Sequence, residues 1–169
     1  MESAAVPTVV VGVNPGISDR VIEQAALFAR RIGGTLVCGY ADAGRYPVEG
    51  LSDGSVRSMP MDPDLVDDEP HSLPAELAAQ LARILDGSGV EWSTRMLAGD
   101  AARALGELAD HFDAVAVVVG TREPTMRGGF REFFNGSVAA RLTHRQHRPV
   151  MVIPVAPVIG GGPLPWDES

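Results

Sequence analysis

Residues Gly120 to Val138 read GTREPTMRGGFREFFNGSV, and their types could hold a phosphate group. The first turn of a helix has backbone N–H groups without intrahelical partners and lies at the positive end of the helix dipole. A glycine just before it lets an anion approach the main chain. Gly136-Ser137-Val138 has this order of residues, with the Ser137 hydroxyl as a further donor. Gly120, Gly128 and Gly129 give the preceding loop freedom to fold over a ligand, and Arg122, Arg127 and Arg131 add cationic reach. The same residues also have a plainer reading: Gly120 ends a strand, Gly128-Gly129 eases a long connection, and Asn135 or Ser137 caps a helix.

The elements that must position this loop follow from periodicity. Thr8 to Val13 (TVVVGV), Thr35 to Ala41 (TLVCGYA) and Ala114 to Val119 (AVAVVV) are near-continuous apolar runs, as expected of strands buried on both faces. Val90 to Leu97 alternates apolar and polar residues, which suits an edge strand, and Val150 to Val155 (VMVIPV) is a fifth strand. Helical spacing predicts helices over Asp19 to Arg31 after a Ser18 cap, Pro74 to Leu85 after a Ser72 cap, Gly99-Asp100 through Asp110, and Ser137 to His147. Regular β-α alternation of this kind predicts a single doubly wound α/β domain, a parallel sheet with helices on both faces. Ligands of such sheets bind beyond the carboxyl ends of the central strands, here at Asn14-Pro15-Gly16 and at Gly120 to Ser137.

Composition narrows the function. The chain has 169 residues, 5% aromatics and a net charge of −8, with all 14 basic residues arginine. Its core must be aliphatic, and its charge argues against nucleic acid as a partner. No apolar run spans a bilayer and no signal-peptide pattern opens the chain, so no membrane association and a cytoplasmic location are expected. Cys38, the only cysteine, sits in an apolar run and reads as a buried hydrophobe. Residues 44–71 lose all periodicity and carry seven carboxylates against Arg45 and Arg57, a net of −5; they read as a flexible acidic, Pro/Gly-rich insertion or a partner-binding segment. Residues 1–7 read as an extension and 156–169 as a tail around a domain at 8–155. His144 and His147 lack further ligands for a metal, and the Asp62, Asp64, Asp67, Asp68 cluster lacks the Gly and Glu of a calcium loop, so no metal site is expected. No nucleophile and base lie near the loop, so no catalytic residue is assigned.

Three segments resemble the universal stress protein family: VVVGVNPG from Val9, LAGDAARALGELADHFDAVAVVVGTR from Leu97, and GGFREFFNGSVAARLTHRQHRPVMVIP from Gly128. The resemblance implies a five-stranded sheet of order 3-2-1-4-5 and a regulatory, stress-response domain. ATP or a related adenine nucleotide, with Mg²⁺ beside it, is the implied ligand, and slow ATP hydrolysis the most activity implied. Nucleotide-binding members are implied to use a G-x2-G-x9-G-[ST] loop and an Asp ending the first strand. This chain keeps Gly120 and Gly136-Ser137, but Glu123-Pro124 replaces the second Gly, twelve residues separate Glu123 from Gly136, and Asn14 stands in the Asp position. By position the implied site takes in Asn14, Pro15, Gly16, Tyr40 against the adenine, Gly120, Thr121, Arg122, Arg127, Gly128, Gly129, Gly136, Ser137 and Val138. A homodimer formed through the last strand, Val150 to Val155, is also implied. A carboxylate at Glu123 repels a triphosphate unless an arginine neutralises it, which keeps open an interaction module of the same fold that binds no nucleotide.

Overall fold

A computed structural model describes residues 5–65, 71–121 and 137–155 of the chain. The elements run β1 (Thr8–Val13), α1 (Asp19–Arg31), β2 (Thr35–Asp42), β3 (Arg45–Gly50), β4 (Val56–Pro60), α2 (Ala75–Leu85), β5 (Trp92–Ala98), α3 (Ala101–His111), β6 (Ala116–Gly120), α4 (Val138–Arg145) and β7 (Val150–Ile153). The five long-range strands form one parallel sheet of order β5-β2-β1-β6-β7. Counting only the strands of that sheet, this is the expected 3-2-1-4-5 order.

The apolar runs of β1, β2 and β6 are continuous because both of their faces are covered. Val9, Val11, Val13, Leu36, Cys38 and Val118 pack under α1 and α2. Val10, Val37, Val117 and Val119 pack on the opposite side under α3 and α4. Cys38 is fully buried, and burial pushes its thiol up to about 12, which leaves it unreactive at neutral pH. The alternating strand β5 is an edge of the sheet, as its pattern predicts.

The helix starts differ in detail from the sequence expectation. Ser18 is at the N-cap of α1 but its side chain makes no cap bond, and Pro74 rather than Ser72 occupies the N-cap of α2. The larger difference is in the acidic segment. Where composition shows no pattern, β3 and β4 pair as an antiparallel hairpin with a bulge between Pro47 and Glu49. A two-stranded hairpin is marginal alone, so its stability must come from what it rests on. Arg45 donates from Nε to the Ser58 hydroxyl at 2.8 Å and from its guanidinium to the Ser58 carbonyl at 2.9 Å, joining the two strands. At the turn, Arg95 of β5 donates to the Asp53 carbonyl and lies 5.2 Å from the Phe112 ring centroid. The hairpin is thus fastened to the edge strand and to the end of α3.

This fastening makes a prediction. Arg95→Ala removes both the donor at the turn and the cation over Phe112, so amide exchange across residues 45–60 should speed up about tenfold. Exchange in β1 and β6 should be unchanged, which mass spectrometry of deuterated peptides can check.

Candidate functional site

β1 and β6 are neighbours whose crossovers depart to opposite sides, which leaves a crevice at their carboxyl ends. Their last paired step is Val11 with Val118, and Val13 and Gly120 lie two residues further along each strand. After β1, Asn14, Pro15 and Gly16 form a turn closed by the Ile17 N–H donating to the Asn14 carbonyl at 3.0 Å. Gly16 has φ +84°, a left-handed conformation that a side chain disfavours, and a Cβ built there meets nothing within 4 Å. Among the described residues nothing crowds the turn at Gly16. The Asn14 amide donates to the Pro15 carbonyl at 3.1 Å, which uses one of its N–H groups and leaves its side-chain oxygen as an uncharged acceptor.

A clamp from α2 fixes the turn. Gln80 donates to the Ile17 carbonyl at 2.8 Å and to the Asp19 carboxylate at 2.7 Å, and Arg83 pairs with the other Asp19 oxygen at 2.8 Å. The Gln80 and Arg83 bonds hold Asp19 below the ordinary carboxylate range.

Ser137 is the N-cap of α4, and its hydroxyl accepts from the Ala140 N–H at 3.1 Å. The plainer capping role is therefore real for Ser137. The Val138 and Ala139 N–H groups are also in the first turn, where no carbonyl of their own helix reaches them. Because α4 runs antiparallel to the strands it links, this N-terminus lies at the carboxyl end of the sheet.

Tyr40 is in register with Val13 on one side and Met96 on the other, so it stands next to the β1 turn. Its partly buried ring packs against the α1–α2 side of the core. Burial, then the Asp42 carboxylate, raises its hydroxyl above the ordinary tyrosine value, so it stays a neutral donor and acceptor.

Gly120 has a packing reason of its own: a Cβ there would lie 2.7 Å from Cγ2 of Val21, so α1 can approach only a glycine. Thr121 binds the ends of β6 and β7 together. Its N–H donates to the Ile153 carbonyl at 3.0 Å and its hydroxyl accepts from the Val155 N–H at 2.9 Å. Arg122, Arg127, Gly128, Gly129 and Gly136 lie outside the described residues. The structure thus brings Asn14, Pro15, Gly16, Tyr40, Gly120 and Thr121 to the carboxyl ends of three adjacent strands, with Ser137 and Val138 at the helix start on the same side. Among the described residues no cluster of three or more His, Cys, Asp or Glu side chains could hold a metal ion, and no helix is long and apolar enough to cross a membrane.

A sequence profile described as the universal stress protein family matches residues 6–154. The chain belongs to the universal stress protein family. Among solved structures, this universal stress protein is similar to one from Archaeoglobus fulgidus in complex with dAMP, with 22% identity and a TM-score of 0.55 over 88% of this chain and 97% of that one. It is also similar to a universal stress protein in complex with cAMP, with 22% identity and a TM-score of 0.57 over 89% and 98% of the two chains. A family protein from Arabidopsis thaliana with AMP bound gives 16% identity and a TM-score of 0.53 over 88% and 91%. At these identities the likeness establishes the fold. Comparison with curated proteins gives no match.

Sequence patterning misses one contact that orients α4. Asp100 caps α3 by accepting from the Arg103 N–H at 3.0 Å, and it also pairs with Arg141 of α4. These two residues are 41 positions apart, and no local pattern links them. Burial pushes the Asp100 carboxyl up, but the Arg103 N–H and the Arg141 guanidinium outweigh it and hold it below its ordinary value. Asp100 therefore adds stability in full above its unfolded value and loses it as pH falls through the lower folded one. Asp100→Ala should cost about 1 kcal/mol at neutral pH. In urea unfolding at decreasing pH, the gap between the two proteins should close as the carboxylate protonates.

Proposed function

We propose that this universal stress protein is a regulatory domain that binds an adenine nucleotide, ATP foremost, at the carboxyl ends of β1, β2 and β6. The observation that carries the reading is the convergence of the Gly16 turn and the α4 N-terminus at the crossover point of the sheet. The Val138 and Ala139 N–H groups take the phosphates, Tyr40 lies against the base, and Asn14 offers an uncharged oxygen to the ribose or base. Gly136, Gly128, Gly129, Arg122 and Arg127 complete the phosphate side in sequence, and Mg²⁺ accompanies a triphosphate. The bound nucleotides of the dAMP, cAMP and AMP complexes support the adenine class. Signalling then runs through dimerisation or a protein partner rather than turnover.

The homodimer in this reading forms through β7. Among the described residues that strand pairs only with β6, and Val152 is 43% exposed on it. An unpaired edge of this kind is stabilised by a second copy.

A second reading keeps the dimer and drops the nucleotide. The packing need at Gly120, the structural tie at Thr121 and the carboxylate at Glu123 favour it.

Titration calorimetry of the full chain with ATP and with AMP decides between them. Micromolar binding, abolished by Gly136→Asp, is the expected result; no heat with either nucleotide selects the second reading. Val152→Lys should convert the dimer to monomer in sedimentation velocity, and monomer in the parent chain at high concentration removes the β7 interface.

A further inference from the structure

The β3–β4 hairpin has two unlike faces. Pro47, itself exposed, and the half-buried Val56 line the rim of a cavity of about 150 Å³ with Leu97 and Leu108, and Ser58 is buried on the same face. On the outer face Tyr46 and Met59 form a cross-strand pair, with the Tyr46 hydroxyl 3.7 Å from the Met59 sulfur. Val48 is the extra residue of the bulge, and Met61 follows Met59 by two positions. Their exposures are 43% for Tyr46, 55% for Val48, 48% for Met59 and 60% for Met61.

Single exposed apolar side chains are ordinary, but this is a concentration. Of ten large apolar residues exposed among the described residues, six fall between Tyr46 and Leu65. The hairpin does not need them for its own fold, because its packing on β5 and α3 uses the inward face.

Charge selects what covers this face. Asp62 and Asp64 flank the Met61 end, and among the described residues neither has a cationic partner. Glu49, on the outer face, is paired with Arg57 at 3.0 Å. A second copy would set these carboxylates against themselves, and the net charge of −8 repels anionic lipid and nucleic acid. We propose that the outer hairpin face docks a basic amphipathic segment of another protein. Its apolar side chains seat on Tyr46, Val48, Met59 and Met61, and its lysines or arginines reach Asp62 and Asp64. The flexible thioethers of Met59 and Met61 let the face repack around different apolar anchors. This surface does not depend on nucleotide binding.

The test uses the full chain without nucleotide and a fluorescein-labelled amphipathic helical peptide of Leu and Lys, followed by anisotropy. Controls are a Ser/Lys peptide of equal charge and a Leu/Glu peptide. The Leu/Lys peptide should bind and the other two should not. Met59→Ser with Met61→Ser, both at exposed positions, should weaken binding about tenfold or more. Asp62→Asn with Asp64→Asn should weaken it and flatten its salt dependence. Ile32→Ser, an exposed apolar change at the end of α1, should leave it unchanged. Equal binding of the Ser/Lys peptide, or no effect of the paired methionine changes, overturns the proposal. So does loss of self-association in the methionine variant, which assigns the face to a second copy. Binding that appears only after residues 156–169 are removed assigns it to the chain's own tail and overturns it as well.

Discussion

Everything in this fold depends on β1 being hydrogen-bonded on both sides, to β2 on one and to β6 on the other. A strand in that position has no face or edge left for water, so its residues must be apolar, and Val9, Val10 and Val11 are fully buried. A parallel strand can be flanked in this way only if the chain crosses over on one face for β2 and on the other for β6. That requirement places α1 and α2 against one side and α3 and α4 against the other. The reversal also brings the ends of β1 and β6 together at the carboxyl edge, where the Gly16 turn lies and α4 begins. The crevice is a by-product of how the core is buried.

The same sheet has two edges, and the chain treats them differently. At β5 the hairpin packs beside the edge strand and is anchored to it by Arg95. At β7 nothing among the described residues pairs with the outer side. The β5 edge thus has the chain's own hairpin beside it, and the β7 edge is the one that the proposed dimer uses.

The central strands and four helices were legible because their signals are local: apolar runs, helical spacing, and Gly or Pro at the ends. The sheet order came from resemblance, not from pattern. The hairpin was not legible, for a physical reason. Pro47 lies inside β3, a bulge interrupts its alternation, and Tyr46, Val48 and Met59 point outward, so neither strand shows an apolar inward stripe. What orders it is tertiary: Arg45 on Ser58 and Arg95 at the turn. The site was half legible. The Gly16 turn and the Ser137 cap follow from residue type. The demand for glycine at 120 comes from Val21 on α1, and the orientation of α4 comes from Asp100, neither of which spacing reveals.

Asp42, the last residue of β2, is where the sheet beside the crevice is joined to the hairpin. One of its carboxylate oxygens accepts from the Gly44 N–H at 2.9 Å, which starts the hairpin, and the other is 3.6 Å from Nε2 of His71. The Nδ1 of that imidazole is 3.1 Å from the Ser58 hydroxyl, which Arg45 also donates to, so a continuous polar chain runs from the end of β2 into β4. The Asp42 carbonyl accepts from the Gly99 N–H at 2.8 Å and ties the same strand end to the start of α3. Two residues before Asp42 is Tyr40, beside the turn of β1. The Gly44, His71 and Gly99 contacts of Asp42 thus give the hairpin a fixed base on the sheet. The strand end that borders the crevice is also the root of the surface proposed to meet a protein partner.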